Sequence, residues 1–147
     1  MHIRAFTLQD QAAVIALWQA CGLTRAWNDP AQDIARKLTV QPELFLVGAS
    51  NEEVIASVMA GYEGHRGWVN YLAVSPTYQR QSYARQLMRE VERLLRERGC
   101  PKINLQIRSG NAAVIAFYRH IGYAQDDVVS MGRRLIDDPP QVTKRVP

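Results

Sequence analysis

The segment Gln79–Ala84 reads QRQSYA and has the composition of an anion-binding turn. It joins a buried, strand-like run that ends at Val74 to a helix-like run that begins near Tyr83. No Asp or Glu stands in the turn to bond the first N–H groups of the helix. Those groups lack intrahelical partners and lie at the positive end of the helix dipole, so the turn suits a bound anion. The alternative is an ordinary loop whose amides bond to water.

The spacing of apolar residues predicts the elements that hold this turn. Runs rich in β-branched and aromatic residues predict strands at residues 3–6, 44–49, 54–62, 68–74, 102–107 and 128–136. A 3.6-residue period predicts one helix that ends at Gly22, one that Asp29 and Pro30 open, and two more at residues 83–98 and 111–121. The helix between strands 68–74 and 102–107 makes those two strands parallel. The chain is therefore predicted to form one mixed α/β domain at residues 1–136, with a flexible tail at 137–147.

Composition narrows the class of protein. The chain has 147 residues, of which 47% are hydrophobic and 22% charged, typical of a globular domain with a full core. No apolar run approaches the roughly 20 residues of a membrane span, and the N-terminus has no apolar signal core, so we expect a cytoplasmic protein without a membrane partner. Cys21 and Cys100 show no metal-ligand spacing, so no metal is expected. The net charge of +4 permits nucleic-acid binding but does not indicate a specific site.

A second motif, NAAVIAFYRHIGY, follows the parallel strand at residues 111–123. The order of strand, polar turn, helix, parallel strand and this motif resembles the GNAT superfamily of acetyl-CoA-dependent N-acetyltransferases. The family's Asn, its aromatic-Tyr pair and its Gly-aromatic pair are met by Asn111, Phe117-Tyr118 and Gly122-Tyr123, and residues 79–84 match the ends of the family's pyrophosphate loop. The stretches WNDP (residues 27–30) and GYEGHRG (residues 61–67) resemble a YpeA-like bacterial subgroup.

The resemblance implies a fold and a cofactor. The fold is a single GNAT-type domain with a central, mostly antiparallel sheet, about four helices, and a parallel βαβ pair that forms a V-shaped cofactor gap. Acetyl-CoA is the implied acetyl donor, and its pantetheine arm pairs with the backbone of Leu72, Ala73 and Val74. The residues implied for its pyrophosphate are Gln79, Arg80, Gln81, Ser82, Tyr83 and Ala84. Asn111 is implied to bond the pantetheine or the loop, and it is equally a good helix N-cap.

Two residues of the turn depart from the family pattern. Ser82 stands where glycine is usual, at a point where a Cβ can intrude on a phosphate. Its side chain is small, however, and its hydroxyl can donate to a phosphate oxygen. Arg80 replaces what is often another glycine and can act as a charge-assisted donor. We therefore expect coenzyme A binding to survive both changes.

The resemblance nominates Tyr118 as the general acid that protonates the departing thiolate. Packing of a half-buried ring is the alternative role for this tyrosine. Glu63, at the end of a predicted strand, is a candidate base, and His65 lies two residues further on. Both are also ordinary hairpin residues, and water alone can accept the amine proton.

Trp27, Asn28 and Asp29 are expected to border the acceptor pocket. Asp29 is also a helix N-cap before Pro30. The acceptor would be a primary amine on a small metabolite, a peptide N-terminus or a lysine side chain. Arg25 and Arg66 hint that it bears an anionic group.

Two other classes of function stay open. One is a non-catalytic acyl-CoA-binding regulatory module with the same fold, which Ser82 and the absence of an obvious base permit. The other is a basic nucleic-acid-binding domain, although no basic surface with stacking aromatic residues is apparent. Homodimerisation through sheet edges is a further expectation that no single residue demonstrates.

Overall fold

A computed structural model describes residues 1–138 as one sheet with helices on both of its faces. The strands are β1 (His2–Ala5), β2 (Phe45–Ser50), β3 (Glu53–Tyr62), β4 (Gly67–Val74) and β5 (Ile103–Leu105). The α-helices are α1 (Gln11–Ala20), α2 (Pro30–Lys37), α3 (Tyr83–Glu97) and α4 (Ala112–His120). These elements confirm the predicted single mixed α/β domain, its four helices, and the strand and helix types up to residue 121.

The sheet has the order β1-β2-β3-β4-β5. The first four strands are antiparallel neighbours, and β5 runs parallel to β4. The crossover through α3 produces this parallel pair, as the βαβ order requires. The mostly antiparallel sheet with one parallel pair is therefore confirmed.

Alternate residues of β2 face opposite sides of the sheet and enter two apolar cores. Phe45 and Val47 pack with Trp18 of α1 and Ile34 of α2. Leu46 belongs to the second core, which contains Tyr118 and the apolar stripe of α3. The sheet is thus covered on both faces.

The predicted strand at 128–136 is absent, and this prediction is wrong. Ser130 accepts a hydrogen bond from Gln106 Nε2, just after β5, at 2.5 Å, but no backbone ladder forms within the described residues. Val129, Met131 and Leu135 are each about nine-tenths exposed. A strand-like composition produces a strand only when the backbone finds a partner edge in register.

One residue of the predicted tail at 137–147 contacts the domain within the described part of the chain. Asp138 is held by the Arg36 guanidinium at 2.6 Å and accepts the Asp29 backbone N–H at 2.9 Å. Its carboxylate has a pKa lowered to about 2, chiefly by the hydrogen bond from Arg36. The rest of the predicted tail, from residue 139, lies outside the described residues. No helix among residues 1–138 is both long and apolar enough to cross a bilayer.

Candidate functional site

The parallel strands part in the middle of β4. The β4–β5 pairing covers only Gly67 to Val69, opposite Ile103 to Leu105, whereas β4 continues to Val74. The five residues from Asn70 to Val74 therefore lack a strand partner on the β5 side. The result is a V-shaped gap that opens toward the carboxyl ends of both strands, which is where open α/β sheets place their ligands.

A bulge in β4 accompanies the parting of the strands. Ser57 pairs with Ala73 and Met59 with Asn70, so Tyr71 and Leu72 lie together opposite a single residue of β3. Tyr71 has φ +53°, a left-handed conformation that costs a residue with a Cβ about 1–2 kcal/mol. Bulges of this kind bend a strand and re-aim its backbone groups, so the bulge redirects the N–H groups beside the gap.

Three contacts hold Tyr71 in this conformation. Its ring stacks on Trp18 with centroids 3.8 Å apart, and its hydroxyl donates to Asp33 Oδ2 at 2.5 Å. Its carbonyl oxygen accepts the buried Ser57 hydroxyl at 3.1 Å, and Ser57 in turn accepts the Trp18 indole N–H at 2.9 Å. Burial and the neighbouring carboxylate raise the pKa of the Tyr71 phenol above its ordinary value, so it stays a donor. The α1 side of the sheet therefore fixes the shape of the gap.

The turn after β4 has the open backbone that the sequence predicts. A short 3-10 turn spans Pro76–Tyr78, and then Arg80 and Ser82 adopt left-handed conformations with φ +64° and +63°. Within the described chain, residues 79–82 donate no backbone hydrogen bond, and the Ser82 side chain makes no capping bond to α3. Amides near left-handed residues at a helix start form a concave anion-binding nest.

The remaining predicted residues of the turn lie around this nest. Gln81 is exposed between the two left-handed residues, and Tyr83 and Ala84 are half-buried in the first turn of α3. Gln79 Nε2 donates to the Val74 carbonyl oxygen at 3.1 Å, which ties the turn to the end of β4.

Tyr118 is a buried residue of α4 in the same apolar core as Val74. Its ring makes edge-on contacts with Phe117 and Tyr123, and Leu72 packs against this core. Among residues 1–138 its hydroxyl has no side-chain hydrogen-bond partner, and burial raises the pKa of the phenol well above its usual value. A phenol in this setting holds its proton at neutral pH.

Asn111 is the N-cap of α4, where its Oδ1 accepts the Val114 N–H at 3.3 Å. The capping role is therefore observed, and the side-chain NH₂ group points to no partner within the described residues.

Glu63 lies at the opposite end of β4 from the gap. It follows β3 in the turn that leads to Gly67, and its carboxylate accepts the backbone N–H groups of His65 and Arg66. Leu72 lies five residues beyond Gly67, the first residue of β4, which is about 17 Å at the ordinary rise of a strand. The Glu63 carboxylate closes a turn far from the gap, so its position does not suit a general base. His65 and Arg66 lie in the same turn, equally far from the gap.

The predicted acceptor residues lie between α1 and α2. Asp29 Oδ1 accepts the Ala31 N–H at 2.9 Å, so Asp29 is the N-cap of α2. Trp27 is about half exposed, and the Arg108 guanidinium lies 5.7 Å from its ring centroid. Asn28 accepts a hydrogen bond from Arg134.

The turn between α1 and α2 lies beside the gap, because a thiol at its start contacts the end of β4. Cys21, at the end of α1, donates from Sγ to the Val74 carbonyl oxygen at 3.2 Å. Burial raises the pKa of this thiol, so it remains protonated.

No group of three or more metal-ligating side chains occurs in the described part of the chain.

Sequence reasoning missed Tyr71, Arg108 and Arg134. Tyr71 carries no local sign of a left-handed residue, since its conformation depends on partners far away in the sequence. Arg108 offered a weak signal, because it directly follows the predicted parallel strand.

Comparison with known proteins identifies relatives that cover most of the chain. The Acetyltransferase (GNAT) family matches residues 12–123. An acetyltransferase of Pectobacterium atrosepticum is 48% identical over 138 residues, which cover 94% of this chain and 98% of the relative. The ribosomal-protein-S18-alanine N-acetyltransferase of Escherichia coli superimposes with a TM-score of 0.68 at 25% identity, over 82% of this chain and 76% of that one.

A further structure resembles the chain in fold alone. The aminoglycoside acetyltransferase AAC(6')-Iy, in complex with a coenzyme A bisubstrate analogue, superimposes with a TM-score of 0.74 at 15% identity. The match covers 92% of this chain and 98% of that structure.

Proposed function

Because this chain belongs to the GNAT family of acetyltransferases, we propose that it transfers an acetyl group from acetyl-CoA directly to a primary amine. The observation that carries the proposal is the unpaired edge of β4 from Asn70 to Val74, which leads into a turn with free amides. An extended, amide-bearing chain that ends in a pyrophosphate matches both features. The edge offers β-type hydrogen bonds and the turn offers an anion site.

The residues of the gap fit acetyl-CoA. The backbone of Leu72, Ala73 and Val74 would bond the pantetheine amides. The amides of residues 80–85, with the Ser82 hydroxyl and the Arg80 guanidinium, would hold the pyrophosphate. Arg80 and Ser82 already have the left-handed backbone that glycine usually provides, so the departures from the family pattern do not distort the turn. The Asn111 NH₂ group is available to bond the pantetheine.

The chemistry is attack of a neutral amine on the thioester carbonyl carbon. The C–N bond forms, the C–S bond breaks, and the sulfur leaves as a thiolate. A backbone N–H at the bulge, near Leu72, would donate to the developing oxyanion. Tyr118 would give its phenolic proton to the thiolate, and the strongly basic phenolate would then recover a proton released by the acylated amine. Burial of Tyr118 supports this role, since it keeps the donor protonated until the thiolate appears.

We assign no side chain as base. Glu63 lies at the wrong end of β4, and water at the mouth of the gap would relay the amine proton to the Tyr118 phenolate. The rate should then rise with pH as the acceptor amine loses its proton.

The test compares Tyr118→Phe with Tyr123→Phe. Tyr123 is a half-buried tyrosine of the same aromatic cluster whose hydroxyl bonds to Glu92 at 3.2 Å, away from the gap. Thiol release is measured with acetyl-CoA and a panel of amines. Tyr118→Phe should lower kcat about 100-fold, the lower range for loss of a general acid, without changing the affinity for acetyl-CoA. An unchanged kcat near neutral pH would remove Tyr118 from the mechanism.

The regulatory-module alternative has a distinct outcome. Such a module would bind acetyl-CoA but release no thiol with any class of amine.

We further propose that the protein acts in the cytoplasm, where acetyl-CoA is available to it. The exposed apolar side chains between Val128 and Ile136 support a homodimer, which sedimentation at increasing concentration would test.

A further inference from the structure

Two arginines from distant segments contact the turn at residues 25–28, between α1 and α2. The Arg108 guanidinium lies over the Trp27 ring, and Arg134 Nη2 donates to Asn28 Oδ1 at 2.5 Å. Arg25 belongs to the turn itself and donates to the Gly22 carbonyl oxygen at 2.7 Å.

In the described part of the chain, Arg25, Arg108 and Arg134, here called the arginine cluster, make no hydrogen bond to an acidic side chain, whereas four other arginines do. Within residues 1–138, Arg4, Arg36, Arg93 and Arg98 each pair with a carboxylate. Arg25, Arg108 and Arg134 make no such pair in the same part of the chain. The cluster therefore keeps donors that no acid of the described protein uses.

Three carboxylates near the turn are already engaged. Asp29 accepts from the Ala31 backbone, and Asp33 accepts from the Tyr71 hydroxyl and from Arg36. Asp138 accepts from Arg36 and from the Asp29 N–H, although it is close enough to Arg134 for that charge to help lower its pKa. Arg108 and Arg25 are consequently the least compensated members of the cluster.

The cluster stands at the mouth of the gap. Arg108 follows β5, which forms one wall, and the turn follows α1, whose Cys21 bonds to the end of β4 on the other wall. The contact between Arg108 and Trp27 therefore joins the two walls. Arg108 is exposed, and a guanidinium that lies over an indole ring keeps its N–H donors for carboxylate or phosphate oxygens, whose geometry its fork matches.

We propose that the acceptor amine carries an anionic oxygen group, a carboxylate or a phosphate ester, which Arg108 binds beside Trp27. This inference rests on the proposed acetyl transfer, because it identifies the class of acceptor for that reaction. Arg66, which the sequence also suggested, is excluded by its location at the far end of β4. The anionic group would position the amine at the open end of the gap.

The experiment measures affinity, so that its result does not depend on turnover. Calorimetry compares 4-aminobutyrate with 4-aminobutanamide, and O-phosphoethanolamine with ethanolamine, for the full chain saturated with coenzyme A. One or both anionic amines should bind about 10-fold more tightly than the matched neutral amine. The pair that shows the difference distinguishes carboxylate from phosphate.

Two variants assign the preference to a residue. Arg108→Gln should abolish the preference and leave the weak affinity for neutral amines unchanged. Arg119→Gln removes an exposed arginine of α4 that, among residues 1–138, bonds through its side chain to Gln125 alone, and should keep the preference. Arg108→Lys should restore only part of it, because a lysine cannot make the bidentate contact.

The inference is overturned if neither anionic amine binds at millimolar concentration, if matched amines bind equally, or if Arg108→Gln leaves the preference intact. These results differ from a failure of the proposed function. Acetyl-CoA would still bind and neutral amines would still release thiol if only the present inference were wrong.

Discussion

Replacing Tyr71 with Phe tests whether distant contacts hold the bulge that shapes the gap. The substitution removes one oxygen and keeps the ring that stacks on Trp18. The lost hydrogen bond, at 2.5 Å to Asp33 Oδ2, has a charged acceptor, and such bonds contribute about 1.5–3 kcal/mol. The Asp33 side chain is 23% exposed and keeps a weak pair with Arg36, so the lower end of that range applies.

A loss of about 1.5 kcal/mol corresponds to a clear change in thermal unfolding. At about 2.1 cal/mol/K per residue, a chain of this length has an unfolding entropy near 0.3 kcal/mol/K, so the midpoint should fall by about 5 °C. Tyr71 would still have its unfavourable φ but one anchor fewer. The affinity for acetyl-CoA should therefore decrease as well, because Leu72 and Ala73 lose part of their fixed orientation.

Tyr62→Phe is the matched control. It removes the same atom from a partly buried tyrosine whose hydroxyl, at the surface, donates to the Gly64 carbonyl oxygen at 3.2 Å. That neutral, exposed bond should be worth less than about 0.5 kcal/mol. The reasoning is refuted if Tyr71→Phe unfolds at the wild-type midpoint, or if the two variants lose equal stability.

Three further predictions concern stability alone. Asp10 is bonded twice to Arg4 and has a pKa lowered from 3.8 to about 2, so it stabilises the fold above pH 3.8 and loses this effect as pH falls toward about 2. Urea unfolding should find Asp10→Asn about 2 kcal/mol less stable at pH 7, with a smaller difference at pH 3; a constant difference would contradict this. Ser82→Val should lower the free energy of unfolding by about 1–2 kcal/mol, and with it the thermal midpoint, because a branched side chain is strained at φ +63°. Ser82→Gly should not lower the midpoint. Equal midpoints for the two variants would refute the left-handed assignment. A Cβ added at Gly67 would lie 2.9 Å from two side-chain atoms, so Gly67→Ala should lower the free energy of unfolding by about 1–2 kcal/mol. A Cβ added at Gly110 meets no atom within 4 Å, so Gly110→Ala should leave stability unchanged. Equal stabilities of the two variants would count against this packing.

Local pattern was sufficient for the elements whose partners lie close in sequence. The stripe Leu87, Met88, Val91 and Leu95 predicts α3, and all four side chains are almost completely buried. The strand–helix–strand order predicts the parallel pairing of β4 and β5, because a crossover of that length has one favoured geometry. The free amides of the turn follow from the absence of a capping acid in the sequence.

Features that depend on distant partners were not predictable in this way. The bulge at Tyr71 is fixed by Trp18, Ser57 and Asp33, each on a different element. The contact between Trp27 and Arg108 joins segments that are adjacent only in the folded sheet. The segment at 128–136 has strand composition but no ladder partner among the described residues, so composition alone gave the wrong structure.

Glu63 illustrates a second limit. The sequence places it at a strand end, but it does not say which end of the neighbouring strand faces the gap. That end became clear only from the register, in which Tyr62 pairs with Gly67 and the parting of the strands begins after Val69.

The most direct test of acetyl-CoA binding in the gap is thermal unfolding of the full chain with acetyl-CoA, and separately with adenosine and with pantetheine. At about a hundred times its dissociation constant a ligand stabilises the folded state by roughly 2.7 kcal/mol, which should raise the midpoint by several degrees. We predict this shift with acetyl-CoA and a much smaller one with either fragment, because only the whole molecule spans both the β4 edge and the turn. An unchanged midpoint at saturating acetyl-CoA would contradict the account.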